Sequence, residues 1–435
     1  MSKWEELYRQ KLTTPEEIAK KFNSGDYCVS NGQIAEPCAI MRALAERAQK
    51  DDLKGIVHTM LLPMRDQLYL KPEMSERIHY NSLFISGYSR ELIWNGYADY
   101  LPSFYSEDPR NVKSRGDIDV FYGTVSPMDK HGYFSFGTAS DMGDLVYEAK
   151  KVFLEVNPTA PRSHGNCFIH VSKVTALCES KVPITEVPSP EITDVDRAIG
   201  GYIAAEIPDG ACIQLGIGGM PNAVAQGLFD RKDLGVHSEM FTESMVDLIE
   251  AGVINNSQKR IHRGKCLVTF TFGSRKVYDF LDDNPCIEFG PVNYVNNPFL
   301  ISQNDYMISI NACVEVDLFG QVCSESIGPK NFSGVGGQLD FVRGAMASKG
   351  GKSFIAMPST AKGGKISKIR GVLTTGGIVS TSRNDVDNIV TEYGIARLRG
   401  KTCSERAKAL IAIAHPSFRE ELTKEAQDMH IIPKK

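Results

Sequence analysis

The 435-residue chain has no CxxC pair among its ten cysteines and no HxxxH or HExxH spacing among its nine histidines. A metal site therefore has no support in the sequence. No apolar stretch approaches the roughly 18 residues that a membrane-spanning helix requires. The first residues, Met1 to Glu6, are charged and lack the apolar core of a secretory signal, so a soluble, cytoplasmic protein is expected. Neither sign of charge dominates: the formal net charge is -4, and no basic run is interleaved with aromatics. Nucleic acid and acidic membrane surfaces are thus not expected partners. Low-complexity segments are missing too, and nothing repeats often enough for a solenoid.

What is present is ordinary globular material, 42% hydrophobic and 23% charged, in a length that holds two or three domains. Cys28, Cys212 and Cys266 lie in apolar runs where a thiol acts as a small hydrophobe. Val/Ile/Phe-rich runs alternate with helical patterns throughout, the signature of α/β layers around largely parallel sheets. The chain also resembles itself. Gly25–Gly32 leads through Glu36-Pro37 into Ile40–Leu44, and Gly210–Gly216 leads through Met220-Pro221 into Ala223–Leu228. Both read as strand, glycine-containing turn and helix, with proline near the first helical turn, where a missing N–H is harmless. In the same order, Asp52–His58 matches Asp233–His237, Gly87–Arg90 matches Gly273–Arg275, and Lys151–Pro158 matches Lys352–Pro358. Two α/β domains of similar fold follow, residues 1–187 and 188–435, divided near the proline-rich stretch Val187–Glu191. A cleft between them is the expected binding site.

Residues that differ between the copies are the better candidates for chemistry. After His58 the first copy runs Thr59-Met60-Leu61; after His237 the second runs Ser238-Glu239-Met240-Phe241-Thr242-Glu243. Glu239 thus stands at the end of an apolar strand in one copy only, where α/β folds place ligands. Capping of the next helix or a surface ion pair is the plainer role for it. Two glycine-rich turns, Gly216-Ile217-Gly218-Gly219-Met220 and Ser333–Asp340, can offer consecutive N–H groups to a phosphate or an oxyanion, or can simply be tight turns. Neither is a GxGxxG or GxxxxGK[ST] sequence, which disfavours nicotinamide or ATP binding in the usual modes. Lys362 begins a basic stretch beside Gly and Thr that suits a phosphate-bearing ligand or a solvated loop. His131 and His237 read as structural hydrogen-bonding residues, since His58 repeats His237 in the copy without the glutamate. Arg383 is left without a role.

Together these segments resemble the acetyl-CoA hydrolase/transferase family of class I CoA-transferases, nearly end to end. The likeness is closest to the branch that acts on 4-hydroxybutyrate and butyryl-CoA. It is carried by Val125–Phe134, Glu155–Arg162, Gly235–Met240, Ser333–Phe341 and Val390–Gly394. The resemblance implies a tandem of two CoA-transferase-type α/β domains with largely parallel sheets, commonly assembled as dimers. It implies that Glu239 is the catalytic glutamate, which becomes a glutamyl-CoA thioester. Gly216, Ile217, Gly218, Gly219, Met220, Val314, Gly337 and Lys362 correspond to CoA-contacting positions. Coenzyme A thioesters and short-chain carboxylic acids are then the substrates, with no permanently bound cofactor. The segment Phe241–Val246 departs from relatives that carry Ser-Asp-Gly, and it makes Glu243 a rival nucleophile. Hydrolysis of acyl-CoA is the enzymatic alternative, and a non-catalytic CoA-binding module is another.

Overall fold

The computed structural model describes residues 2–50 and 53–433. The chain packs as two compact units, Met1–Val187 with Leu267–Val295, and Pro188–Cys266 with Asn296–Lys435. The division between Val187 and Pro188 falls inside the proline-rich stretch, while Leu267–Val295 returns to the first unit.

The first unit is built on a seven-stranded sheet of β1 (Tyr27–Ser30), β2 (Ile56–Met60), β3 (Ile78–Ser82), β4 (Asp99–Tyr100), β5 (Val120–Val125), β6 (Lys151–Val156) and β7 (Ala176–Glu179). Its spatial order is β7-β6-β5-β1-β2-β3-β4, and every pairing is parallel. A parallel sheet covered on both faces needs continuous apolar strands, and all six residues of β5 are buried. The helix Cys38–Lys50 turns Ile40, Met41, Leu44, Ala45 and Ala48 into the core at helical spacing. The Glu155 carboxylate, at the end of β6, accepts from the N–H groups of Ala39 (2.8 Å) and Ile40 (3.3 Å) and so holds that helix's N-terminus.

The second unit carries a six-stranded sheet of β8 (Cys212–Gln214), β9 (Gly235–Val236), β10 (Met307–Ala312), β11 (Lys352–Ala356), β12 (Asn388–Thr391) and β13 (Gly394–Arg397). The order is β9-β8-β10-β11-β12-β13, parallel except for the β12–β13 hairpin. The run β12-β11-β10-β8-β9 repeats the order β7-β6-β5-β1-β2 of the first unit. Three of the four matched pairs therefore fall on equivalent strands, β1 with β8, β2 with β9 and β6 with β11, whereas Gly87–Arg90 and Gly273–Arg275 both belong to the first unit and so do not mark equivalent places in the two. Asp52, at the start of one match, lies outside the described residues; Leu53 to His58 lead into β2 as expected. Helix Asp194–Ala204 opens with a Thr193/Asp196 capping box and packs against helix Gly219–Gln226.

All ten cysteines are free thiols, with Cys28, Cys212 and Cys266 buried. Burial, opposed by the nearby Lys259 charge and the His237 N–H, pushes the Cys212 thiol up to about 11, so it stays protonated near neutrality. Among the described residues no helix is long and apolar enough to cross a membrane, and no group of three or more His, Cys, Asp or Glu is placed to hold a metal ion.

Candidate active site

The second unit gathers its unusual residues at the carboxyl ends of its parallel strands, where α/β sheets place their ligands. Glu239 lies three residues beyond β9, and Gly216–Met220 follow the adjacent strand β8. Val314 comes two residues after β10, and Lys362 six after β11. Gly337 immediately precedes helix Gln338–Ala347, whose Gln338 side-chain amide donates to the Ala312 carbonyl at the end of β10 (3.3 Å).

Glu239 is held rather than free. Its Oε2 accepts a 3.0 Å hydrogen bond from Asn296 Nδ2, and the Gly337 backbone N–H lies beside the same carboxylate and favours its charged form. Glycine is required at 337 by close approach: a Cβ there would collide with both Glu239 Oε2 and Asn296 Nδ2. Glu239 keeps part of its surface accessible, whereas Asn296 is wholly buried. Burial pushes the Glu239 carboxyl above the ordinary carboxylate range, and the Asn296 and Gly337 hydrogen bonds pull in the opposite direction by favouring the anion. Asn296 Oδ1 has no hydrogen-bond partner, so this amide is a poor investment for folding alone.

The approach to Glu239 is equally ordered. His237 is buried, its backbone N–H reaches the Ile213 carbonyl (3.2 Å), and its Nδ1 lies 3.2 Å from Asn304 Nδ2. Ser238 Oγ donates to the Leu215 carbonyl at 3.2 Å, tying the nucleophile candidate's neighbour to the residue before Gly216. His237 is thus buried and held by hydrogen bonds, as is its repeat His58. His58 is also buried, lies 2.9 Å from Ser30 Oγ, and is held down to about 3 by burial, so it stays neutral.

Glu239 does not cap the next helix, Glu243–Glu250, where the N-cap position belongs to Thr242; Glu243 is its first residue, where a carboxylate complements the helix dipole. The turn Gly216–Gly218 starts helix Gly219–Gln226 from Gly218 at φ 132°, in glycine territory, and no side chain caps it. Ile217 is 48% exposed there, and Met220 is buried. Lys362 is exposed, at φ 50°, in the turn joining Thr360–Ala361 to Ile366–Ser367. Of the expected CoA-contacting residues, Gly337 lies against the Glu239 carboxylate, and the others follow the carboxyl ends of strands of the same sheet. Arg383 lies over the Phe319 ring (6.0 Å), while Asp385 pairs with Arg343. His131 is exposed, and its backbone N–H donates to Asp129.

Asn296 was not singled out by sequence. Its signal is the Asn296-Asn297-Pro298 break, in which Asn297 caps the helix Pro298–Ile301 and hides its neighbour's different task.

Comparison with known proteins bears on this arrangement. Residues 1–188 match the acetyl-CoA hydrolase/transferase N-terminal domain, and residues 273–426 match the C-terminal domain of the same name. The chain is 48% identical over 424 residues to 4-hydroxybutyrate coenzyme A transferase of Clostridium kluyveri, covering 97% of this chain and 98% of that protein. The chain belongs to the acetyl-CoA hydrolase/transferase family. Within that family it is also 46% identical to succinyl-CoA:cyclohexane-1-carboxylate CoA transferase of Geobacter metallireducens, over 99% of this chain and 98% of the relative. The crystal structure of RipA from Yersinia pestis superposes with a TM-score of 0.95 at 41% identity, covering 99% of this chain and all of that one. The enzyme class is therefore CoA-transferase.

Proposed function

We propose that the protein moves CoA between short-chain acyl-CoA thioesters and carboxylic acids such as acetate, butyrate or 4-hydroxybutyrate, by way of a CoA thioester on Glu239. One observation carries this reading. The Glu239 carboxylate, on a half-buried residue present in one copy of the repeat only, is held just beyond a strand's carboxyl end by a buried amide, with the Gly337 main-chain N–H beside it.

The reaction needs no general base, because each nucleophile is an anion at neutral pH. The Glu239 carboxylate attacks the thioester carbonyl, and the C–S bond breaks to give a mixed anhydride and CoA thiolate. The thiolate attacks the glutamyl carbonyl and expels the first acid, leaving the glutamyl-CoA thioester. The acceptor carboxylate then attacks that thioester, and the thiolate it releases takes the new acyl group, which frees Glu239. Each addition to the glutamyl carbonyl puts negative charge on a glutamyl oxygen; the Asn296 donor already points at Oε2, and the Gly337 N–H lies beside the same carboxylate. Donors of this kind are commonly worth about 3 kcal/mol each in the transition state.

Gly216–Met220, Val314 and Lys362 are proposed to bind CoA, with the Lys362 ammonium acting as a mobile charge for a phosphate. Glu243 is set aside as nucleophile because it occupies the first turn of a helix that its charge stabilises. Domain 188–435 supplies the catalytic unit in this reading, and a homodimer or higher homo-oligomer is the proposed assembly. Exchange of labelled acetate into acetyl-CoA, with no second acid present, tests the two-step route. Exchange supports it; loss of acetyl-CoA to water without exchange would make the protein a hydrolase, and neither would make it a binding module.

A further inference from the structure

The nucleophile candidate is delivered by a short support. β9 has only two residues, Gly235 and Val236, and lies at the edge of its sheet; the one main-chain bridge on that side among the described residues, Leu234 to Ile254, ends before Val236. An edge strand that short has little of its own to hold it in register. Two buried side chains of the following loop take the place of the missing neighbour. Asn256 Oδ1 accepts the Val236 N–H at 2.9 Å, and the Lys259 ammonium donates to the Val236 carbonyl at 2.7 Å. Both main-chain groups of Val236 are therefore bound by side chains. The same ammonium donates to the Lys265 carbonyl at 2.6 Å, and Asn256 Nδ2 lies 3.3 Å from Cys266 Sγ.

A lysine as buried as Lys259, 3% exposed, is rare and has a large desolvation cost, so its position calls for a reason. The strand is shaped for it: a Cβ on Gly235 would fall 2.6 Å from Lys259 Cγ and 3.0 Å from its Cδ. Asn256 itself sits at φ 57°, a left-handed conformation that asparagine tolerates. The loop reaches one residue further through Asn304, whose Oδ1 accepts from the N–H groups of Arg260 (3.1 Å) and Ile261 (3.4 Å) while its amide nitrogen meets His237. Val236 and His237 are thus braced consecutively, and Ser238 is tied to Leu215 on the other side. Glu239 is the next residue.

We propose that Lys259 and Asn256 are positioning residues, a side-chain substitute for an edge strand that fixes Val236 and thereby sets Glu239 against the Asn296 amide. The inference rests on the reading of Glu239 as nucleophile, and it adds the device that aims it. A misplacement on the order of 1 Å at a reacting group can cost about 100-fold in rate.

The test uses Lys259→Met, which keeps the stem and removes the ammonium, and Gly235→Ala, which keeps the ammonium and displaces the stem. Single-turnover formation of the enzyme–CoA adduct from butyryl-CoA is measured with KM, thermal unfolding and CoA affinity. The expected result is an adduct rate lowered about 10- to 100-fold in both variants, with KM and CoA affinity within about threefold of wild type. In Lys259→Ala, added propylammonium should recover part of the rate. A folded variant of either kind with wild-type adduct rate overturns the proposal, and Gly235→Ala decides if Lys259→Met does not fold. Loss of rate that merely follows the unfolded fraction, unaffected by the amine, overturns it as well. Failure of the underlying reading is distinct: wild type itself would then form no adduct.

Discussion

Replacing Asn296 by alanine removes one donor from Glu239 and nothing else from the active site. The bond lost is 3.0 Å long, from a fully buried amide whose oxygen has no partner. Folding should suffer modestly, by about 1 kcal/mol for one net hydrogen bond, because the substitution also removes an unsatisfied acceptor. Turnover should suffer far more. An oxyanion donor contributes about 2.7–4 kcal/mol to the barrier, a loss of roughly 100- to 1000-fold in kcat. The pH profile supplies a second readout. Burial raises the Glu239 pKa, and the Asn296 bond lowers it by favouring the charged form. Without that bond the pKa rises further, and since only the ionised carboxylate attacks, the acidic limb of the kcat profile must move to higher pH. Steady-state CoA transfer from butyryl-CoA to acetate, measured across pH with unfolding temperature as a control, gives both numbers. A folded variant with kcat within about threefold of wild type and an unmoved acidic limb would refute the reasoning.

Gly337→Ala should abolish measurable transfer while the protein remains folded, because the new Cβ must push aside Glu239 Oε2 and Asn296 Nδ2; a crystal structure would show the carboxylate displaced. Lys362→Ala should raise KM for acyl-CoA about tenfold, equivalent to ~1.4 kcal/mol, with kcat unchanged, since an exposed charge on a remote part of CoA contributes uniform binding. Glu243→Ala should leave kcat unchanged and cost about 0.3–1 kcal/mol of stability, the value of a carboxylate in a helix's first turn; chemical denaturation measures it.

The doubled plan was legible because strand order is encoded locally. Gly25–Gly32 and Gly210–Gly216 each carry their own strand, turn and helix signals, and each folds into the equivalent place. Glu239 was legible for a similar reason: its absence after His58 marked it as foreign to the shared scaffold. The excursion Leu267–Val295 was not, because its packing with the first unit depends on contacts far away in sequence. Asn296 was hidden by distance as well, 57 residues from the carboxylate it holds and beside an asparagine with an ordinary capping role. Lys259 begins the run Lys259-Arg260-Ile261-His262-Arg263, and no pattern within it distinguishes the buried lysine from the exposed Arg260 and Arg263. Gly337 read as part of a glycine-rich turn; that a Cβ there would meet Glu239 Oε2 and Asn296 Nδ2 is visible only in the folded chain.

The most direct measurement is the intact mass of the protein after brief exposure to butyryl-CoA without an acceptor acid, followed by peptide mapping. The account predicts added CoA mass on the peptide containing Glu239, discharged by acetate and absent in Glu239→Gln. CoA mass carried at Glu243, or full transfer activity in Glu239→Gln, would contradict it.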